Sequence, residues 1–235
     1  MRVDGKMNDA QSSNAEATTD VSKPIIPWED PTRKRVFRRF VTTLWAFVKS
    51  PTAAYSRMPT SGGLGRPLAF AIVVGWIGIA VAAFIGKTFP DVEWASEDLH
   101  EYYTFSGVAS QEEYFGVPLM IAAPVIVLVV IFLQAKIIQF LLGKFGTPNL
   151  GFQTTIRVCC YAQTSQLVHT IPLIGGVLFV GWSMLLIFHG ISVAHGITRG
   201  RSAAIVIAGF LLTCALVATG FIILVETMMD FTFPR

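Results

Sequence analysis

The sequence predicts an all-α fold: a polytopic membrane protein, built as a five-transmembrane-helix bundle with an N-terminal amphipathic interfacial helix. Three observations carry that expectation. Residues 67–86, 116–135, 158–198 and 202–225 contain no Asp, Glu, Lys or Arg, and an uncharged apolar run of about 18 residues or more can cross a bilayer core as a helix. Only 14% of the 235 residues are charged and 53% are apolar, against roughly 25% charged in an ordinary soluble domain. The segment before the first run is net basic and the one after it net acidic, the kind of bias that orients a chain threaded through a membrane.

Residues 1–29 lack apolar periodicity and hold few large apolar side chains before Ile25 and Ile26. This composition predicts a disordered cytoplasmic tail. No apolar h-region is present in it, so the first spanning helix is expected to serve as the insertion signal. Residues 30–66 are expected to form the interfacial helix and a short second helix. Asp30 has the chemistry of an N-cap, with Pro31 in the first helical position. At 100° per residue, one arc gathers Val36, Phe47, Phe40, Leu44, Phe37, Val48 and Val41. The opposite arc gathers Arg38, Lys49, Thr42, Arg35, Arg39 and Thr43, with Trp45 at the border. Such a helix could pack on protein; its basic face and its place just before a span favour the membrane interface. Ser50-Pro51 opens the second helix, through Met58, and Ser61-Gly62-Gly63-Leu64-Gly65 reads as a loose turn into the bilayer.

The membrane domain is expected over residues 67–225. Span one covers 67–86 and span two 117–135, the latter running on toward Phe140. Span three, 152–170, is polar and carries Arg157. The uncharged run that follows is too long for one crossing and breaks at Ile171-Pro172. Span four therefore lies within 171–197 and span five within 203–225, leaving 226–235 as a short non-cytoplasmic tail. Charge decides whether span three crosses. Residues 1–66 hold eleven basic and six acidic residues, while 87–116 hold one basic and seven acidic. Basic residues collect on the cytoplasmic side. With the N-terminus inside and five crossings, Lys136, Lys144, Arg199 and Arg201 all return inside and the C-terminus lies outside.

Span three also concentrates the polar side chains. Arg157, Tyr161, Thr164 and Ser165 fall on one helical stripe, extended by Gln153 and Thr154. In lipid that stripe has to face protein or water. It is either a polar seam for a solute or ion, with Arg157 as an anion contact, or a set of interhelical contacts with Arg157 snorkelling to headgroups. His189 and His195 are six apart and do not share a helix face, so no metal site is expected. His195 is read as interfacial and His189 as bonding another helix. Cys159, Cys160 and Cys214 follow neither a disulfide nor a metal pattern and read as small buried side chains. The glycines of spans four and five are expected to allow close helix contact. Nucleotide loops, nucleophile elbows and calcium-loop spacings are absent from the sequence, so neither an enzyme nor a cofactor is expected.

Two segments carry a family resemblance. One is FVTTLWAFVKSPTAAYSRMPTSGGLGRPLAFAIVVGWIG, and the other begins FQTTIRVCCYAQTSQLVHTIPLIGGVLF. With Ser50-Pro51 and its small helix, the glycine-rich entry to span one, Val-x-x-Tyr-Ala at 158–162, Ile-Pro-x-Ile-Gly at 171–175 and Trp182 before an apolar run, the chain resembles the YIP (Ypt-interacting protein) domain, in particular its bacterial members, over roughly residues 34–225. The resemblance implies five spans, a cytosolic N-terminal region and an adaptor role without catalysis. Its eukaryotic members are linked to small GTPases, but their Asp-Leu-Tyr-Gly-Pro element is missing here, which weighs against a GTPase partner.

The expected function is a non-catalytic integral membrane scaffold or adaptor in a bacterial inner membrane. Arg35, Arg38, Arg39, Phe37, Phe40 and Trp45 would contact the lipid bilayer, its anionic headgroups and a cytosolic protein partner; no nucleic acid is expected. The rival reading is a small-solute or ion transporter using the Arg157, Tyr161, Thr164 and Ser165 seam.

Overall fold

The computed structural model describes residues 25–32, 35–88, 112–145, 151–171 and 174–232. Among them there are seven α-helices and no strand. In chain order the helices are α1 (Val36–Lys49), α2 (Pro51–Tyr55), α3 (Gly65–Thr88), α4 (Glu112–Lys144), α5 (Phe152–Ala162), α6 (Gly175–His195) and α7 (Arg199–Thr232). Helix α5 continues without a break as a 3₁₀ segment, Gln163–Thr170.

The polar helix is the centre of this arrangement. Every residue from Thr154 to Ala162 is buried, with α3, α4 and α6 packed around the α5–3₁₀ unit. The apolar helices shield it. Helix α4 has Ala123, Val127, Ile131, Ala135, Ile138 and Leu142 inward and Ile121, Val125, Val129, Phe132 and Phe140 outward. Both of its faces are apolar, which is the pattern of a helix between protein and lipid rather than protein and water. Helix α7 likewise exposes Ile207, Leu211, Leu212, Leu216 and Val217.

Two close approaches explain the fit. A Cβ on Gly78 would stand 2.7 Å from Cβ of Gln166, so only glycine lets α3 meet the 3₁₀ segment there. A Cβ on Gly190 would overlap Val158 and lie 2.9 Å from Cζ of Tyr55, so α6 touches α5 and α2 through bare backbone. Gly209 similarly faces Ile138 at 3.2 Å, whereas Gly176, Gly181 and Gly220 face open space. Close contact thus explains some of the glycines of the last two helices and not the others.

Among the described residues, three helices are long and apolar enough to cross a membrane by length and composition: Met120–Lys144 within α4, Gly175–His195, and Arg199–Gly220 within α7. A shorter apolar helix, Gly65–Val81, lies within α3.

Several expected boundaries move. Asp30 does not cap a helix: its Oδ1 accepts the Thr32 N–H at 2.9 Å and hydroxyl at 2.6 Å. The carboxylate is consumed in a local turn, and α1 starts at Val36 instead. Pro51 does occupy the first position of α2, but the helix stops at Tyr55. Helix α7 runs through Glu226 to Thr232, over most of the stretch read as a tail. Residues 1–24 and the acidic 89–111 loop lie outside the described residues. The last part of the expected N-terminal tail is docked: Ile26 is buried in the core.

Candidate functional site

Arg157 is the largest fully buried side chain among the described residues. A buried guanidinium demands a counter-charge and acceptors, and the fold supplies both from outside the spans. Its Nη1 donates to Glu29 Oε2 in an ion pair whose side chains are 1% and 9% exposed. Its Nη2 donates to the carbonyls of Ser61 at 3.1 Å and Gly63 at 2.9 Å. The other Glu29 oxygen, Oε1, accepts the Tyr161 hydroxyl at 2.6 Å. One carboxylate is therefore read by two donors one helical turn apart on α5.

The surroundings fix both donors. The Tyr161 ring stacks on Phe47 of α1 with centroids 5.0 Å apart and leans on Phe70 of α3 at 5.2 Å. Thr154 donates to the Thr60 carbonyl at 3.1 Å, so the turn before α3 is fastened to α5 through Thr60, Ser61 and Gly63. Gly62 makes that turn with φ +103°, which L side chains rarely adopt. The turn read from sequence as loose is pinned by carbonyl acceptors.

Residues 25–30 form a strap that brings Glu29 in. The Glu29 and Asp30 N–H groups bond the Ile26 carbonyl. Trp28 N–H donates to Thr43 Oγ1 at 2.9 Å and its indole N–H to the Arg66 carbonyl at 2.6 Å. Arg66 in turn donates to the Glu29 carbonyl. Arg39 holds the strap from the other side through the Pro27 and Trp28 carbonyls and lies 5.8 Å over the Trp28 ring. Beside the ion pair an open depression of about 390 Å³ is lined by residues that include Ile25, Glu29, Gly62, Gly63, Arg66 and Arg157.

Of the seam residues, Arg157 and Tyr161 are thus brought together by Glu29, and Thr164 and Ser165 are not. Thr164 donates to the Tyr161 carbonyl at 2.8 Å, and Ser165 Oγ and Arg157 Nε have no partner among the described residues. The six residues assigned to membrane or partner contact divide. Arg35, Arg38, Phe37 and Trp45 face outward, Phe37 being 79% and Trp45 65% exposed. Arg39 is spent on the strap, and Phe40 packs at 5.8 Å from Trp28 and 5.4 Å from Phe70.

Nearby polar groups are structural. His189 Nδ1 meets Thr52 Oγ1 of α2 at 3.2 Å, the interhelical bond expected of it. His195 is not interfacial: it is buried, with Nε2 3.1 Å from Thr155 Oγ1, which donates to Gln139 at 2.8 Å. Tyr55 donates to the Val158 carbonyl at 3.2 Å. Burial first, then Cys159 and Cys160, pushes that hydroxyl well above its ordinary pKa, so it stays a donor. Cys159 and Cys160 are buried, whereas Cys214 is exposed.

Sequence reasoning missed Glu29, Ile26, Trp28 and Arg66. The signal was Arg157 itself: the uncharged spans hold no carboxylate to pair with it, and Trp-Glu at 28–29 supplies one beside an apolar anchor.

An all-helical bundle with lipid-type outer faces and a shielded polar helix defines an integral membrane protein. The Yip1 domain family matches residues 45–222, and the chain belongs to that family. No curated protein and no solved structure matches it.

Proposed function

We propose that this chain is a non-catalytic membrane scaffold, with α1 lying in the cytoplasmic membrane interface and engaging anionic lipid headgroups and cytosolic partners. The observation that carries the reading is the division of α1 into three faces. Phe40, Leu44 and Phe47 turn into the bundle, while Phe37, Val41, Trp45 and Val48 form an exposed apolar ridge. Exposed Arg35, Arg38 and Lys49 lie beyond that ridge. Apolar side chains open to the surroundings next to a basic face suit the boundary between acyl chains and phosphates.

Five crossings fit the same picture. Eleven α-helical and eight 3₁₀ residues span together about 32 Å, comparable with the roughly 30 Å of a hydrocarbon core. The N-terminus is then cytoplasmic and the C-terminus outside, in a bacterial inner membrane. Transport along the seam is the weaker reading, because Arg157 and Tyr161 are engaged by Glu29 and the lining of the depression includes Arg157 but not Tyr161, Thr164 or Ser165.

The test places an environment-sensitive fluorophore on Phe37→Cys or Thr42→Cys in the full chain, in a Cys214→Ser background, reconstituted in anionic vesicles. Shallow spin-labelled lipids should quench the label at 37 and spare that at 42. Equal exposure of both labels to water refutes the interfacial placement.

A further inference from the structure

Glu29 is a ligand that the chain supplies to itself, and each donor of its seat has a second hold. Arg157 stays fastened to the Ser61 and Gly63 carbonyls through Nη2, and the Tyr161 ring stays wedged between Phe47 and Phe70. Guanidinium and hydroxyl are therefore each positioned by contacts other than the carboxylate. Arg157 Nε, buried and unpartnered among the described residues, leaves a further donor. Receptor and ligand also come from separable parts of the chain: the seat from α5 and the turn before α3, the ligand from a six-residue strap ahead of α1. A single turn, closed by the Glu29 and Asp30 N–H groups on the Ile26 carbonyl, sets a buried aliphatic side chain three residues before the carboxylate. The depression beside the ion pair opens the seat to the outside, and Arg66 adds positive charge to its lining.

We infer that this seat is a peptide-recognition site for a segment of the form aliphatic-x-x-glutamate, occupied in cis by residues 25–30 and able to take a segment of the same chemistry from a cytosolic partner in trans. The inference deepens the scaffold reading and rests on it only for the side of the membrane. Glutamine in place of glutamate would leave the Arg157 charge buried without its counter-charge, so the site selects the acid. The strap competes from a high effective concentration, which lowers the apparent affinity for a free peptide by the fraction of seats that stand open.

The experiment uses the full chain in nanodiscs and a fluorescein-labelled synthetic copy of residues 21–32 as probe. The Glu29→Gln chain, whose strap is weakened, should bind the probe about tenfold or more tighter than the unaltered chain. A probe carrying glutamine at the glutamate should lose that gain, as should the chain with Tyr161→Phe added. Absence of saturable binding to the Glu29→Gln chain, or equal binding of the two probes, overturns the inference. Should the Glu29→Gln chain fail to fold, a nitroxide on Ile25→Cys in a Cys214→Ser background reports strap release from the otherwise unaltered seat. Excess probe must then raise the label's mobility, and an unchanged spectrum is equally fatal. Loss of probe binding with the label at 37 still in lipid sinks this inference alone. Probe binding with that label in water sinks the interfacial placement alone.

Discussion

Glu29 and Arg157 are 128 residues apart in the chain and form one buried ion pair. The pair joins a segment ahead of the first helix to the most polar helix of the bundle, with both side chains almost wholly buried. Removing one partner leaves the other charge uncompensated in a low-dielectric site, which costs far more than the pair contributes when intact.

Glu29→Gln should therefore destabilise the fold by about 3 kcal/mol or more, read as a lower thermal midpoint in detergent micelles. Adding Arg157→Met removes the orphaned charge and should recover much of that loss. A double variant as unstable as the sum of the two single ones would deny the coupling. Tyr161→Phe keeps the ring between Phe47 and Phe70 and deletes only the bond to the carboxylate, for a loss of about 1.5–3 kcal/mol.

Packing on α1 separates two side chains of the same type. Phe47 is fully buried against Tyr55 and Tyr161, so Phe47→Ala should cost about 3–5 kcal/mol. Phe37 is mostly exposed, and Phe37→Ala should leave the thermal midpoint near that of the unaltered chain. Similar losses from both substitutions would mean that the two faces of α1 are not divided in this way.

This division marks where the sequence was legible and where it was not. Helical periodicity placed Phe40, Leu44 and Phe47 on one face with Phe37, Val41 and Val48, because hydropathy cannot distinguish apolar side chains packed into the bundle from those left exposed. Three apolar helices were legible for the opposite reason: charge exclusion from hydrocarbon is strong and local, so α4, α6 and α7 each take in much of an uncharged run, while α4 and α7 extend beyond theirs. The α5 helix was found only through charge bookkeeping, and its 3₁₀ continuation was not anticipated. That segment packs against α3 at Gly78, a contact between distant parts of the chain. The same distance hid Glu29, which looked like the end of a polar tail until Arg157 was placed.

Gly190→Ala tests the closest helix contact. The added methyl would collide with Val158 and the Tyr55 ring, and overpacking of this kind costs about 1–3 kcal/mol. Val158→Ala in the same chain opens room for the methyl and should return part of the loss. Gly181→Ala, where nothing lies within 4 Å of the new methyl, is the matched control and should be close to neutral. If the two glycine variants melt together, the α6 approach to α5 and α2 is looser than described.

The topology can be read with two thiol probes. Arg201 is exposed near the start of α7, and the five-crossing reading puts it on the cytoplasmic side with the basic residues. The last residue, Arg235, would then lie across the membrane from it. Cysteine at each position, in a Cys214→Ser chain held in sealed right-side-out vesicles, should give opposite responses to an impermeant maleimide: labelling at 235 from outside, and at 201 only after permeabilisation. Labelling of both from one side would mean that α7 does not cross. Opposite labelling with 201 outside would reverse the orientation, placing the arginines of α1 and the Glu29 seat on the face away from the cytosol.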